Sequence, residues 1–257
     1  MARRRFYAPP EQVEGPVISL SGEESHHLSR VLRLKPGDPV FVFDGEGVER
    51  ECEITEIRSN CARLRIIRVL EDAVESPSHL TLAQAVAKGE KFDLIVQKAT
   101  ELGVSRIVPL SSDHSDVNLS LEQAGKRLER WRRISLEALK QCGRRRLVEF
   151  TPLMKVGEFI ASPPASSGAI LVFSERGGSP IADALKEAPG AGPVSALVGP
   201  EGGWSDEELS RMKAGGCKFV TLGPRVLRAE TAAIVAISLL QHLMGDLGNT
   251  GRPGGDS

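Results

Sequence analysis

The first part of the chain, residues 1–73, contains short apolar runs that partly alternate with polar positions. These runs cover residues 17–20, 39–44, 51–57 and 63–69, and turn residues separate them. Alternation with a period of two indicates half-buried β-strands. Several short strands in this arrangement predict a small β-barrel, which one or two helical turns at residues 25–32 interrupt.

After Ser76-Pro77-Ser78, which we interpret as a linker, strands alternate with helices. Predicted strands cover residues 79–87, 104–110, 169–173, 194–198 and 218–222. Predicted helices cover residues 92–102 and 229–244, and two more begin at capping boxes at Ser120 and Ser205. This alternation predicts an α/β fold with a mostly parallel sheet, in which ligands bind beyond the carboxyl ends of the strands. We predict domains at residues 1–73 and 74–247 and a disordered, Gly- and Pro-rich tail at 248–257.

Composition narrows the possible classes of function. The chain is 40% hydrophobic and 26% charged, as globular proteins are. We predict no transmembrane helix, because no apolar run approaches eighteen residues, and the basic start lacks the apolar core of a signal peptide. The four cysteines are scattered, which argues against disulfides and a zinc site. We therefore expect a cytoplasmic protein without a metal ion or a membrane partner.

The charge of the chain is unevenly distributed. The net charge is −1, but residues 126–146 contain nine basic and two acidic residues, a local charge of +7. Such a segment either contacts nucleic-acid phosphates or is a solvated helix face, and charge alone leaves both open. Trp131 lies on the apolar stripe of this helix, so we expect it in the core. Aromatic residues make up only 4%, so any RNA recognition would rest on shape and phosphates rather than stacking.

Two loops stand at predicted carboxyl ends of strands. Residues 199–205 contain three glycines, which let backbone amides approach a ligand, although a tight strand-to-helix turn would use the same residues. Residues 222–233 place two arginines and a carboxylate before an apolar helix, which fits either a binding site or a helix cap. Neither loop has the glycine spacing of a dinucleotide or triphosphate site.

The two loops together resemble the RsmE family of SPOUT-class methyltransferases. The resemblance rests on Leu-Val-Gly-Pro-Glu-Gly-Gly at 197–203 and Leu-Gly-Pro-Arg-Val-Leu-Arg-Ala-Glu-Thr-Ala at 222–232. Further segments similar to that family, in order along residues 3–247, are 5–7, 26–33, 43–45, 88–91, 97–104 and 137–144. The joint pattern is specific, whereas each segment alone is not.

The resemblance implies an enzyme that uses S-adenosylmethionine to methylate N3 of a uridine in 16S ribosomal RNA, with the assembled 30S subunit as its substrate. It implies a PUA-like RNA-binding β-barrel, a SPOUT α/β domain with a deep trefoil knot, and a homodimer. Two alternatives are another SPOUT RNA methyltransferase, acting on a ribose 2′-oxygen or a guanine, and a non-catalytic RNA-binding factor for ribosome assembly. A small-molecule methyltransferase is disfavoured by the extra β domain and the basic stretch.

The resemblance also implies roles for individual residues. The cofactor would be held by Leu171, Phe173, Val198, Gly199, Pro200, Gly202, Gly203, Leu222, Gly223, Leu227 and Arg228. We expect Arg228 to stabilise the uridine anion and Glu230 to hold Arg225 or Arg228, whereas Glu201 either accepts the imide proton or holds an arginine.

Basic residues outside the two loops are candidates for contacts with RNA phosphates. These candidates are Arg3, Arg4, Arg5, His27, Arg30, Arg33, Arg144 and Arg145. The alternative for His27 is an ordinary surface histidine.

Overall fold

The computed structural model describes residues 3–71, 74–87, 89–115, 119–162, 168–187 and 192–248. The described residues form two compact units. The first contains those of Met1–Glu75 together with Leu139–Leu147, and the second those of Ser76–Ala138 and Val148–Thr250. The predicted tail lies, apart from Gly248, outside the described residues, and the domain bounds drawn from the sequence remain predictions.

The first unit is built on a six-stranded, curled sheet that forms a half-barrel. Its strands are β1 (Arg5–Tyr7), β2 (Val13–Glu14), β3 (Val17–Ser21), β4 (Pro39–Phe43), β5 (Glu49–Ile57) and β6 (Cys61–Leu70). They lie in the order β1-β4-β5-β6-β3-β2, with β1 parallel to β4 and the other neighbours antiparallel. A 3₁₀ turn (Pro10–Gln12), helix α1 (Gly22–His26) and a π-helical turn (His27–Val31) complete it. The predicted barrel-like β domain is thus confirmed as a half-barrel.

The core of this unit follows from strand alternation. Alternate residues of β3, Ile18 and Leu20, are buried, as are Val40 and Val42 of β4 and Leu64 of β6. Successive side chains of a strand point to opposite faces, so these residues share the concave face of the sheet. Leu28 from the π-helical turn packs into the same cluster.

A buried ionic network centres on Glu49 and includes Arg5 and Arg145, two residues that we predicted to contact RNA. The Glu49 carboxylate, 1% exposed, pairs with the guanidinium groups of Arg5 and, at 3.3 Å, Arg145. Arg5 also donates to the carbonyls of Leu139 and, at 3.0 Å, Arg144. The opposite charges pair away from solvent, as buried charges must, and Arg145 Nε is left without a hydrogen-bond partner.

The loop that follows Cys142 is held by a second carboxylate of the same unit. Glu75 accepts hydrogen bonds from Arg144 Nε at 3.0 Å and from the backbone N–H groups of Arg145 and Arg146. Arg5, Arg144 and Arg145 are 8%, 6% and 3% exposed. Their charged groups are committed to internal partners, which disfavours contacts with RNA, and the RNA role of these three residues stays a prediction.

The second unit contains a seven-stranded, all-parallel sheet. Its strands are β7 (Leu80–Ala85), β8 (Arg106–Ser111), β9 (Glu149–Phe150), β10 (Met154–Lys155), β11 (Ala169–Phe173), β12 (Val194–Val198) and β13 (Lys218–Val220). The order is β10-β8-β7-β12-β11-β13, with β9 also paired to β8. The remaining helices within the described residues are α2 (Lys91–Glu101), α3 (Leu121–Cys142), α4 (Val156–Ala161), α5 (Ile181–Lys186), α6 (Asp206–Ala214) and α7 (Ala229–Met244). The predicted parallel α/β architecture is confirmed.

Local signals account for several helix boundaries in the second unit. The Ser205 hydroxyl accepts from the Glu208 N–H, while the Glu208 carboxylate accepts from the Ser205 N–H, so the capping box predicted at the start of α6 is formed. Ser120 and Gln123 make the equivalent pair of bonds before α3. Trp131 is 3% exposed and its ring centroid lies 4.2 Å from that of Phe92, which confirms its predicted place in the core.

The topology brings the two glycine-containing loops to one edge of the sheet. Phe173, the last residue of β11, pairs with Val198 of β12 on one side and with Val220 of β13 on the other. Since all three strands are parallel, the segments that follow them leave the sheet at the same carboxyl edge.

Candidate active site

A cleft of about 270 Å³ lies at this carboxyl edge. The segments that follow β11, β12 and β13, together with the first turn of α7, form its walls. Its lining residues are Phe173, Ser174, Glu175, Val198, Gly199, Pro200, Glu201, Gly203, Trp204, Leu222, Gly223, Arg225, Val226, Leu227, Arg228, Ala229 and Ala232. Apolar walls with a few polar groups are typical of small-molecule sites.

The cleft brings together most of the residues predicted for the cofactor. Those in its lining are Phe173, Val198, Gly199, Pro200, Gly203, Leu222, Gly223, Leu227 and Arg228, together with Glu201. Three others lie outside the lining. Leu171 is fully buried in the core, Gly202 stands against His114, and Glu230 lies in the first turn of α7.

The first loop is shaped by its glycines. The Gly203 N–H donates to the Pro200 carbonyl at 3.0 Å, which closes a tight turn, and Gly203 has a φ of +68°, where a side chain is strained. A Cβ on Gly199 would lie 3.1 Å from the Trp204 ring. A side chain at position 199 would therefore press on the buried Trp204 indole.

Gln84 of β7 anchors the same loop and was missed by the sequence analysis. Its Nε2 donates to the carbonyls of Gly199, at 3.2 Å, and Ala85, at 3.0 Å, and the residue is fully buried. The buried amide fixes the point where the chain leaves β12. A long polar side chain within a mostly apolar buried strand is the sequence signal that could have marked it.

Charged groups are concentrated where the loop meets α2. Lys91 Nζ donates to Glu201 Oε1 at 2.8 Å, and this bond is the main reason that the pKa of Lys91 is raised. Glu230 and Arg228 are close enough to act on the same ammonium electrostatically. Glu201 is therefore held by a lysine, a partner that the sequence analysis did not identify.

The two arginines of the second loop, Arg225 and Arg228, do not pair with Glu230 as we expected. Among the residues that the structure describes, the guanidinium groups of Arg225 and Arg228 form no ion pair or hydrogen bond, so Glu230 does not hold either side chain. Glu230 Oε2 is buried without a hydrogen-bond partner. Both arginines are exposed residues of the cleft lining, so their guanidinium groups remain available to an anionic ligand or transition state.

The cleft fits a nucleoside-containing cofactor. Phe173, Val198, Leu222 and Leu227 give it apolar walls, and Gly223, with φ +105°, leaves open space where a side chain would stand. Backbone groups of the two loops line the same space and can bond polar edges of a base without special side chains.

The remaining RNA candidates lie on the first unit. Arg3, Arg4, Arg30 and Arg33 are exposed. The Arg3 guanidinium also lies 5.0 Å from the centroid of the Phe41 ring. His27 is half-buried and packs edge-on against Phe6, which favours a structural role for it.

Comparison with known proteins places the chain in a class. A family model described as an RNA methyltransferase domain matches residues 74–241, and one described as an RNA methyltransferase PUA domain matches residues 20–67. The class defined by fold and cleft is thus that of RNA methyltransferases with a PUA domain.

No helix within the described residues is long and apolar enough to cross a membrane.

Similar proteins define the family within this class. A ribosomal RNA small subunit methyltransferase E of Synechocystis is 33% identical over 93% of this chain and 78% of its own length. The crystal structure of a protein of that name from Neisseria gonorrhoeae, bound to S-adenosyl methionine, has a TM-score of 0.86 with 33% identity and covers 95% of this chain and 99% of its own. A Legionella pneumophila structure with the bound cofactor SAM reaches a TM-score of 0.88 with 35% identity, over 96% and 100%. The chain belongs to the ribosomal RNA small subunit methyltransferase E family.

Proposed function

We propose that this protein transfers a methyl group from S-adenosylmethionine to N3 of a uridine in 16S ribosomal RNA, on the assembled small subunit. The observation that carries the proposal is the glycine-containing cleft at the carboxyl edge of β11, β12 and β13 in a member of this family. The base and the nitrogen within it rest on the family resemblance of the two loops. A protein that acts on ribosomal RNA would work in the cytoplasm.

The residues of the cleft would chiefly position the two reactants. S-adenosylmethionine, when bound, supplies a methyl group that a positively charged sulfur already activates, so little covalent chemistry is left to the protein. The backbone around Leu222 and Leu227 would hold the adenine edge, and Gly199 and Gly203 would let the first loop approach the ligand closely. Gln84 would keep Gly199 in place through its bond to the Gly199 carbonyl.

The uridine must lose its N3 proton before it becomes a good nucleophile. Arg228 lines the cleft without an internal partner among the described residues, so its guanidinium can stabilise the negative charge on the imide. Glu201 is held by Lys91, which disfavours it as the proton acceptor. Glu230 has an unpartnered buried oxygen and is the better candidate for that role, or for orienting Arg228 once ligands are bound.

RNA would be held by the exposed basic residues of the first unit. Arg3, Arg4, Arg30 and Arg33 can contact phosphates without reading the base sequence. Two of them flank the exposed side chains of Val31 and Leu32, so this surface offers both charge and apolar area. We retain residues 1–73 as the RNA-binding domain and residues 74–247 as the methyltransferase domain.

A homodimer and a trefoil knot complete the proposal. One face of α7, with Ala233, Ala236 and Leu240, is buried, whereas Leu239 and Leu243 are 39% and 46% exposed one helical turn apart. Two exposed leucines on one stripe suit a second copy of the same helix. The proposed knot rests on the family resemblance alone. The proposed dimer is tested by measuring the molar mass with light scattering after size-exclusion chromatography.

Methyl transfer to defined substrates tests the function. Labelled S-adenosylmethionine is incubated with the protein and either 30S subunits or naked 16S RNA, and the labelled nucleoside is identified by mass spectrometry. We expect 3-methyluridine, formed faster on the subunit. A 2′-O-methyl nucleoside or a methylguanosine would assign the chain to another specificity. Folded protein that fails to bind the cofactor in a calorimetric titration would exclude the enzyme.

A variant pair tests the role of Arg228. Arg228→Gln removes the guanidinium, and Arg176→Gln is the matched control because Arg176 pairs with Asp206 outside the cleft lining. We expect Arg228→Gln to lower the rate of methyl transfer at saturating cofactor by about a hundredfold, the effect of removing one transition-state contact. An unchanged rate would exclude Arg228 from the reaction.

A further inference from the structure

Glu175 is an exposed residue that lines the cleft. It follows β11 by two residues, and β11 lies between β12 and β13 in the sheet. The loop that begins at Gly199 therefore stands on one side of it and the loop that begins near Leu222 on the other, and Glu175 itself lines the cleft. A ligand that touches both walls passes beside this carboxylate.

Local structure holds the backbone around Glu175 and leaves room for its side chain. The Arg176 N–H donates to the Ser174 hydroxyl at 3.1 Å, which closes a small turn around Glu175. A Cβ on Gly203 would lie 2.7 Å from Glu175 Oε1, so the carboxylate rests where a side chain at position 203 would otherwise stand. The positive φ of Gly203 and its missing side chain thus leave this space to the carboxylate.

The carboxylate has no partner in the part of the chain that the structure describes. Glu201, on the neighbouring loop, is neutralised by Lys91 at 2.8 Å, whereas Glu175 forms no hydrogen bond or ion pair with any described residue. Glu175 is exposed, so water can solvate its carboxylate, and a ligand that displaces this water must supply hydrogen-bond donors because an ionised carboxylate only accepts hydrogen bonds.

We propose that Glu175 binds the ribose of the cofactor and accepts hydrogen bonds from its 2′ and 3′ hydroxyl groups. This inference rests on the proposed function, because it assumes an adenosine-containing ligand. The ribose is the middle of S-adenosylmethionine, joined to the adenine at one end and to the sulfur arm at the other. Its two neighbouring hydroxyls present two donors to the two oxygens of one carboxylate. Glu175 is then a cofactor-binding residue of the same reaction.

Titration of three ligands distinguishes a contact with the ribose from a contact with either of the two cationic groups of the cofactor. S-adenosylmethionine carries the ribose, a sulfonium and an ammonium; S-adenosylhomocysteine lacks the sulfonium; 5′-methylthioadenosine lacks both charged groups and keeps the ribose. Calorimetric titration of each is carried out on the wild-type chain and on Glu175→Ala. Glu129→Ala is the matched control, because Glu129 is an exposed glutamate of α3 that does not line the cleft.

We expect Glu175→Ala to lower the affinity for all three ligands by the same factor, about tenfold or more, because hydrogen bonds to a charged acceptor are lost. Glu129→Ala should leave all three affinities unchanged. A loss confined to S-adenosylmethionine would assign the contact to the sulfonium, and a loss shared only with S-adenosylhomocysteine would assign it to the ammonium. Either result, or unchanged binding, overturns the proposal. Wild-type protein that binds none of the three overturns the proposed function itself.

Discussion

The buried carboxylate of Glu49 supports the sharpest prediction about stability. Replacing it by glutamine keeps its size and removes its charge. The guanidinium groups of Arg5 and Arg145, whose side chains are each 4% exposed, then remain buried without a counter-charge. Removing one partner of a buried ion pair costs about 3–5 kcal/mol. Since a domain of this size is stabilised by about 5–15 kcal/mol in total, Glu49→Gln should leave the first unit only marginally folded.

Thermal denaturation followed by circular dichroism measures this effect, and hydrogen exchange localises it. Each 1 kcal/mol lowers the melting temperature of a small domain by about 4–8 °C, so we expect a decrease of more than about 10 °C. Protection should be lost in β1, β4 and β5, which surround the network.

Glu53→Gln is the matched control for Glu49→Gln. Glu53 lies on the same strand and pairs with Arg65 at 3.2 Å, but these side chains are 40% and 56% exposed. An exposed pair contributes about 1 kcal/mol or less, so this variant should melt within a few degrees of the wild type. Equal effects of the two substitutions would refute the reasoning, because burial is the only difference on which it depends.

Three further predictions concern the second unit and the thiols. Gly199→Val should abolish binding of S-adenosylmethionine in calorimetry. Even a Cβ at position 199 would lie 3.1 Å from the Trp204 ring, so the valine side chain would push this ring out of the cleft wall. Retained affinity would exclude the loop from the site. Leu243→Glu should convert a dimer into monomers by light scattering without loss of helicity, because Leu243 is 46% exposed on the free stripe of α7; an unchanged mass would exclude this interface. Burial raises the pKa of the Cys52 thiol to about 12 and that of Cys217 to about 11, so at pH 8 both should resist a thiol reagent until denaturant is added; rapid labelling in the folded state would contradict their burial.

Signals local in sequence predicted much of the fold. Both capping boxes form as expected, and the helix predicted at residues 229–244 has those bounds, because an apolar stripe and its flanking residues are sufficient to define it. The short helices α4 and α5 were not predicted. Each has only six residues, too few to show a helical repeat, and their packing against the sheet supplies what the sequence pattern lacks.

The charged residues show where local reasoning fails. Arg144 and Arg145 belong to a strongly basic segment, yet their partners, Glu49 and Glu75, come from a distant part of the sequence. A count of neighbouring charges cannot distinguish an exposed arginine from one that is paired in this way. Lys91 was missed as part of the site for the same reason, since only the fold brings it to Glu201. Glu175 lies two residues after a predicted buried strand, and that position alone could have marked it.

The strand order of the second unit also determines when its sheet can form. β7 pairs with β8, which follows closely, but its other neighbour is β12, with Leu80 opposite Val194. During synthesis, one edge of β7 therefore stays unpaired until the ribosome has made most of the chain, up to β12. Contacts so distant in sequence slow folding, because a long loop must close before they stabilise anything. The cleft, whose walls begin at β11, β12 and β13, is consequently among the last parts of the molecule to be assembled.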